Sequence, residues 1–355
     1  MNPRELNIRI HPDDQMFLFK APKDRELAAR AYFDTGRIIA DTIRQIVSWK
    51  FGGFTRVNRF LDFAAGYGRV TRFLVQQIDP SRVWVSDILG EAVEFQQKNL
   101  GVHGFVSTRE PEALLAESPF DCILVCSLFT HLPEATFTAW LERLYQLLAP
   151  GGLLIISTHD EYLRGGGHNT APMFWFEQVS EIASLDKNEY GSTMVNEPYV
   201  RAAIGRATRG TGSYFRIPRG LNRHQDLYLI AGPPAPDFST LPASLEPQGH
   251  VDSISVNHPG LVKISGWACD LSGSVAEVRV LVQGQVVHTC RPDLERTDVA
   301  RHFENPNAKQ CGFSCIVELA RDREGDVSMI AVGASGKSSV IYNEPLPTVL
   351  KGQRG

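Results

Sequence analysis

Long apolar runs are missing from this chain. No stretch of about 18 apolar residues occurs, which excludes a spanning helix. The opening Met1-Asn2-Pro3-Arg4-Glu5-Leu6-Asn7 has no apolar run behind it of the kind a secretory leader needs. The expectation is a soluble, cytoplasmic protein with no membrane partner. Charge of one sign is also scarce: 36 Lys and Arg stand against 40 Asp and Glu, a net charge of −4. That balance argues against a general nucleic-acid binder. Cysteine is sparse, with six in 355 residues and no C-x-x-C pair, too few for a disulfide framework. Cys122 and Cys126 lie in one apolar run, and Cys311 and Cys315 alternate with Phe313, Val317 and Leu319. Those five side chains would share one strand face, so free thiols packed in a core are expected, with no metal site.

What the chain does have, at 43% hydrophobic residues, is material for two or three packed domains. Its organising stretch is Arg59-Phe60-Leu61-Asp62-Phe63-Ala64-Ala65-Gly66-Tyr67-Gly68-Arg69-Val70-Thr71-Arg72-Phe73-Leu74. A short apolar strand runs into a turn of Ala and Gly, and a helical period follows. Such a turn lets backbone N–H groups approach a ligand closely. A dinucleotide fingerprint would need a third glycine where Thr71 stands. Asp62 at the strand end would repel a diphosphate and attract an ammonium. S-adenosylmethionine carries an ammonium and a sulfonium and no phosphate, so the acid favours it. A second strand, Val83-Trp84-Val85-Ser86-Asp87, ends in an acid 25 residues after Asp62, where a carboxylate can accept both hydroxyls of a ribose.

These residues resemble the class I S-adenosylmethionine-dependent methyltransferases, whose first motif is D-x-G-x-G-x-G. The chain departs from it at Ala64, which the turn accommodates if φ stays negative. The resemblance covers residues 30–232 and implies a doubly wound Rossmann-like α/β sheet, mostly parallel with an antiparallel last strand. It places Asp62, Ala64, Gly66 and Gly68 on the methionine end of the cofactor and Asp87 with Ile88 on the ribose. Arg109 or Glu110 falls near the adenine, and Cys126 and Ser127 border the methyl group. Ahead of the motif, Leu27 to Trp49 has helical spacing, and Tyr32 and Gly36 share a face one turn apart. In related methyltransferases such a helix covers the methionine end; the alternative for Gly36 is a close helix–helix contact.

Further along, Glu91 to Leu100 reads as a helix stopped by Gly101, and Gly104 to Thr108 as a third strand. Phe120 to Ser127 is a continuous apolar strand, buried on both faces as in a parallel sheet. Helical spacing through Phe137, Trp140, Leu141, Leu144 and Leu148 ends at Ala149-Pro150-Gly151-Gly152, before the strand Leu153 to Ser157. The loop Gly165-Gly166-Gly167-His168-Asn169 with Met173-Phe174-Trp175-Phe176 reads as a lid or as a surface loop tethered by aromatics. Tyr214 to Pro218 and Gln225 to Ile230 suit an antiparallel hairpin closing the sheet. Arg201, Arg206, Arg209, Arg216, Arg219 and Arg223 form either a solvated face or a cluster for an anionic acceptor.

A Pro-rich linker is expected over 233–249, dividing a first domain, 1–232, from a β-sandwich, 250–350. The second pattern has period two, with Val278, Val280 and Val282 before a Gln283-Gly284 turn. Gly266-Trp267, Arg296-Thr297-Asp298-Val299 and Gly312-Phe313 resemble, weakly, sandwich domains appended to bacterial glycosyltransferases. The function expected is methyl transfer to a small-molecule or glycan acceptor, at a hydroxyl. His159, after a central strand, is the candidate base, with Asp160 or Glu161 raising its basicity. His131 is the competitor, its turn position suiting a structural hydrogen bond. The rival readings are a non-catalytic scaffold carrying a binding sandwich, and a nicotinamide-dependent oxidoreductase.

Overall fold

The computed structural model describes residues 5–19, 24–115, 119–160, 170–179, 185–222, 224–241, 246–258, 260–271, 273–303, 305–319, 326–346 and 349. They fall into two compact units, Met1–Leu241 and Pro242–Gly355.

The first unit begins with a single helical turn, α1 (Gln15–Leu18), capped by Asp14, whose side chain accepts from the Met16 N–H. Helix α2 (Arg25–Phe51) is capped by Asp24 and buries Ile39, Ile43, Ile46 and Val47, the apolar spacing seen in the sequence. Then follow β1 (Phe60–Phe63), α3 (Thr71–Leu74), β2 (Val83–Asp87), α4 (Gly90–Leu100), β3 (His103–Val106) and β4 (Phe120–Val125). Helix α5 (Glu134–Gln146) leads to β5 (Leu148–Asp160), β6 (Phe174–Glu177), β7 (Ser192–Val195), α6 (Glu197–Ala207), β8 (Ser213–Leu221) and β9 (Gln225–Ala231).

Strands β3, β2, β1, β4 and β5 lie side by side in parallel, and β9 joins β5 antiparallel with β8 beyond it. This is the Rossmann-like sheet with its antiparallel closing hairpin. The far end of β5 makes a second pairing: His159 and Asp160 lie beside Met194 and Val195 of β7, which pairs in turn with β6. Phe174–Phe176 therefore belong to a strand edge. Residues 165–169, the other half of that expectation, lie outside the described residues.

Alternation along the central strands explains their double burial. Leu61, Phe63, Ile123, Val125, Leu154 and Ile156 cluster with Phe137 and Trp140 of α5 and Tyr199 and Val200 of α6. The intervening Phe60, Cys122, Leu124, Leu153 and Ile155 are buried as well. A further strip, 233–241, was expected to be linker. Instead Phe238 stacks on Trp49 and on Phe215, and the Trp49 indole N–H donates to Thr240 at 2.9 Å. Two aromatic contacts outweigh what its proline content suggested.

The second unit contains β10 (Gln248–His258), β11 (Leu261–Cys269), β12 (Val275–Val282), β13 (Gln285–Cys290), β14 (Leu294–Glu295), α7 (Thr297–His302), β15 (Gln310–Glu318), β16 (Asp326–Gly333) and β17 (Ser338–Pro345). Two antiparallel sheets, β10-β11-β15-β14 and β13-β12-β16-β17, enclose one apolar cluster drawn from both. It is a β-sandwich. Cys311, Phe313, Cys315, Val317 and Leu319 are all buried on one strand face. No helix among the described residues is long and apolar enough to cross a membrane.

Candidate active site

A cavity of about 440 Å³ opens at the carboxyl ends of β1, β2, β4 and β5. In open α/β sheets this is where ligands gather, because the loops leaving adjacent strands diverge there. Asp62 stands at the end of β1, 2% exposed, and accepts a hydrogen bond from the Thr71 hydroxyl at 2.7 Å. Burial pushes its carboxyl up to about 7; Thr71 opposes the shift and Asp87 adds to it. A carboxylate so placed gains greatly from a cation.

The turn after β1 is tighter than the sequence implied. Ala64 adopts φ +57, a left-handed conformation, where a negative value had been expected. For a residue with a Cβ this costs about 1–2 kcal/mol. Ser127, after β4, has φ +62 and borders the same cavity. Two such residues at adjacent strand ends mark a place where backbone shape is held against local preference.

Asp87 ends β2 and faces the cavity with Ile88. Its carboxylate accepts from the Gly66 N–H at 2.8 Å and from the Leu89 N–H at 3.0 Å, so it ties the glycine turn to the second strand. Burial raises its pKa, and the N–H groups of Leu89, Gly66 and Ile88 draw it back. Gly66 and Ala64 line the cavity, but Gly68 does not. Gly68 has φ +78, and a Cβ there would meet the Gln96 Oε1 at 2.8 Å. Its role is the turn's packing against α4.

Tyr32 and Gly36 also stand apart from the cavity. Gly36 lets α2 press against the chain entering α3, where a Cβ would collide with the Arg69 carbonyl oxygen and meet Phe73 at 2.8 Å. The close-contact alternative is the one observed. The Tyr32 hydroxyl donates to Asp14 at 2.6 Å. Asp14, Gln15 and Met16 supply cavity wall that the sequence reading missed. The available signal was Asp14, separated only by Gln15 from Met16-Phe17-Leu18, a helix cap before an apolar run.

Glu110 lines the cavity beside Ser107, Thr108 and Arg109, beyond β3, and Arg109 pairs with Glu189 at 3.0 Å. At the β4 end, Cys126 and Ser127 border it. Ser127, Ser157 and Gln225 form a polar knot: the Ser127 N–H donates to the Ser157 hydroxyl at 2.8 Å, and that hydroxyl donates to Gln225 at 2.6 Å. Gln225 was another missed residue.

His131, His159 and His224 all line the cavity. The segment Gly191–Thr193 is laid against 130–132 by bonds from the Gly191 N–H to the His131 carbonyl and from the Thr193 N–H to the Thr130 carbonyl. The Nδ1 of His131 lies 2.7 Å from the Gly191 carbonyl oxygen, so Nδ1 carries the proton, and its ring stacks on Tyr190 at 4.4 Å. This is the structural hydrogen bond expected of it. For His159 the expectation of raised basicity is overturned: burial pushes its pKa down to about 4, and His224, His131 and Arg219 add to the fall. Asp160 is turned to Arg216 at 2.8 Å, and Glu161 lies outside the described residues.

Among the described residues, the arginines of this stretch do not converge on an anion site. Arg216 is buried between Asp160 and Asp226, and the Arg219 guanidinium donates to the His224 carbonyl. Arg201 and Arg209 reach Glu197 and Glu142, and Arg206 reaches the Thr138 hydroxyl. Arg223 lies outside the described residues. Acids line the cavity instead, with Asp14, Asp62, Asp87, Glu110, Asp186 and Glu189 against Arg69 and Arg109. No group of three or more His, Cys, Asp or Glu among the described residues could hold a metal ion.

Residues 61–154 match the family model of a methyltransferase domain. That span runs from β1 into β5 and includes Asp62, Asp87, Cys126 and His131. No curated protein matches the chain in sequence. Among solved structures, a S-adenosylmethionine-dependent methyltransferase from Clostridium acetobutylicum ATCC 824 is similar at 15% identity and TM-score 0.41, over 60% of this chain and 97% of that one. The glycopeptide N-methyltransferase MtfA complexed with sinefungin is similar at 14% and 0.40, over 55% and 94%. DesVI from Streptomyces venezuelae follows at 11% and 0.42, over 63% and 99%.

Proposed function

We propose that the first unit transfers a methyl group from S-adenosylmethionine to a hydroxyl of a small-molecule or glycan acceptor. The observation that carries this reading is Asp62, a sealed carboxylate at the end of β1 whose pKa is drawn up to about 7. A cation beside it recovers the electrostatic cost of its burial. A diphosphate at the same turn would face two buried carboxylates, Asp62 and Asp87. The donor set therefore fits S-adenosylmethionine and opposes a nicotinamide dinucleotide.

In this reading Asp62, Ala64 and Gly66 hold the methionine end, Asp87 and Ile88 the ribose, and Glu110 the adenine side. Cys126 and Ser127 border the methyl group. Tyr32, Gly36 and Gly68 shape this wall from behind without touching the ligand. When bound, the cofactor supplies a methyl group already activated on a cationic sulfur. The protein's share is to align the acceptor oxygen, exclude water and receive the hydroxyl proton. His159 is unprotonated throughout the neutral range, so its free nitrogen can accept the hydroxyl's hydrogen bond. Burial leaves it a weak base, which takes the proton only once the oxygen has gained the methyl group and turned acidic. The acid-lined cavity favours a neutral acceptor over the anionic one first considered.

A panel of neutral hydroxyl, anionic hydroxyl and amine compounds incubated with S-adenosylmethionine tests the reading by mass spectrometry. A neutral product heavier by one CH2 unit is expected. Transfer confined to anionic acceptors or to amines would overturn the acceptor assignment and leave the cofactor assignment standing.

A further inference from the structure

Arg72 is 1% exposed and buries its guanidinium among uncharged acceptors. Its Nε donates to the Gly68 carbonyl at 2.8 Å, and one terminal nitrogen reaches the Tyr67 carbonyl at 3.1 Å and the Tyr32 hydroxyl at 3.3 Å. The other terminal nitrogen donates to the carbonyls of Asn7 at 3.1 Å and Arg9 at 2.9 Å. One side chain thus grips two pieces of main chain about 60 residues apart in sequence, the glycine turn and the segment leading into α1.

Taking a guanidinium out of water is costly, and an apolar residue of similar volume fills a core at less cost. What an apolar residue could not do is read carbonyls on both pieces. Other contacts join the same two pieces. His11 stacks on Tyr67 at 4.4 Å, and the Tyr32 hydroxyl that receives from Arg72 donates in turn to Asp14 at 2.6 Å. Asp14, only 3% exposed, lines the cavity with Gln15 and Met16.

We propose that Arg72 is a positioning residue that fastens segment 5–19 to the glycine turn and so sets one wall, Asp14–Met16, of the cofactor cavity. The inference rests on the methyltransferase reading for the identity of the ligand, and on geometry alone for the coupling. A ligand at the turn would rest against this wall, so loosening the Arg72 contacts should shorten its stay.

Hydrogen exchange and stopped-flow binding of S-adenosylmethionine to the full chain test this with Arg72→Lys and Tyr32→Phe. Tyr32→Phe removes one oxygen and keeps the ring, so it guards against a failure of Arg72→Lys to fold. Without ligand, amides of 7–19 should exchange at least tenfold faster in Arg72→Lys and about threefold faster in Tyr32→Phe, with β1 and β4 unchanged. With ligand, dissociation should speed up by the same factors, and cofactor protection should persist at 64–68 while it is lost at 7–19. Wild-type exchange in segment 7–19 of either folded variant overturns the coupling. So does a loss of protection that is uniform over both segments. If the wild-type chain binds no S-adenosylmethionine, the functional reading fails, and the ligand-free exchange still decides the role of Arg72.

Discussion

Ala64 turns with φ +57, a conformation that strains a residue with a Cβ, while its methyl group packs against the apolar cluster of the first unit. Substituting glycine removes the steric penalty and adds back some unfolded-state entropy, so Ala64→Gly should stabilise the protein by about 0.5–1 kcal/mol. Urea unfolding checks this; a loss of stability would mean that the packing of the methyl group outweighs its strain. Asp62 carries a pH dependence of definite sign. Its folded pKa, about 7, lies above the unfolded carboxylate value. The stability it contributes is therefore full below about pH 4 and is lost as pH rises toward 7, on the order of 4 kcal/mol relative to Asp62→Asn. Cofactor affinity moves the other way. A cation needs the ionised form, so binding should strengthen about tenfold per unit up to pH 7 and level off above it. Affinity that is flat between pH 5.5 and 8 would remove Asp62 from the cofactor's charged end.

Elements bring together what single residues cannot. Arg216 of β8 lies between Asp160 at the end of β5 and Asp226 of β9, at 2.8 and 2.7 Å, with all three groups nearly sealed from water. Burial raises Asp226, Arg216 draws it down, and Asp160 raises it again. Arg216→Met leaves two carboxylates buried beside each other and should destabilise the first unit by about 3–5 kcal/mol. A smaller loss by urea unfolding would mean the strands separate enough to hydrate them. This cluster also marks how far sequence could go. β1, β2, β4, α5 and the closing hairpin were legible because apolar period and turn residues encode them locally. Asp62, Asp87, Cys126 and Ser127 were legible because they end such strands. Arg216 read as part of a basic stretch because its acids come from strands far apart in sequence. Helix α6 was passed over beneath the same arginines, although Asn196 caps it by accepting from Tyr199. The Ala64 conformation was invisible, since turn strain is set by what the surrounding sheet imposes.

At the scale of the whole molecule, the division at Leu241 and Pro242 separates an α/β unit from a β-sandwich, each with its own apolar cluster. A chain ending at Leu241 should unfold in one cooperative transition. A chain ending at Gly232 should be less stable, because it lacks Phe238 against Trp49 and Phe215 and loses the Thr240 bond. Equal midpoints for the two would mean those contacts contribute nothing. The central claim, that the cavity is shaped for a cationic, phosphate-free cofactor, is tested most directly by calorimetric titration of the full chain. S-adenosylmethionine and its demethylated product should each bind at a single site, with no heat from NAD under the same conditions. Binding of NAD, or of none of the three, would contradict the account.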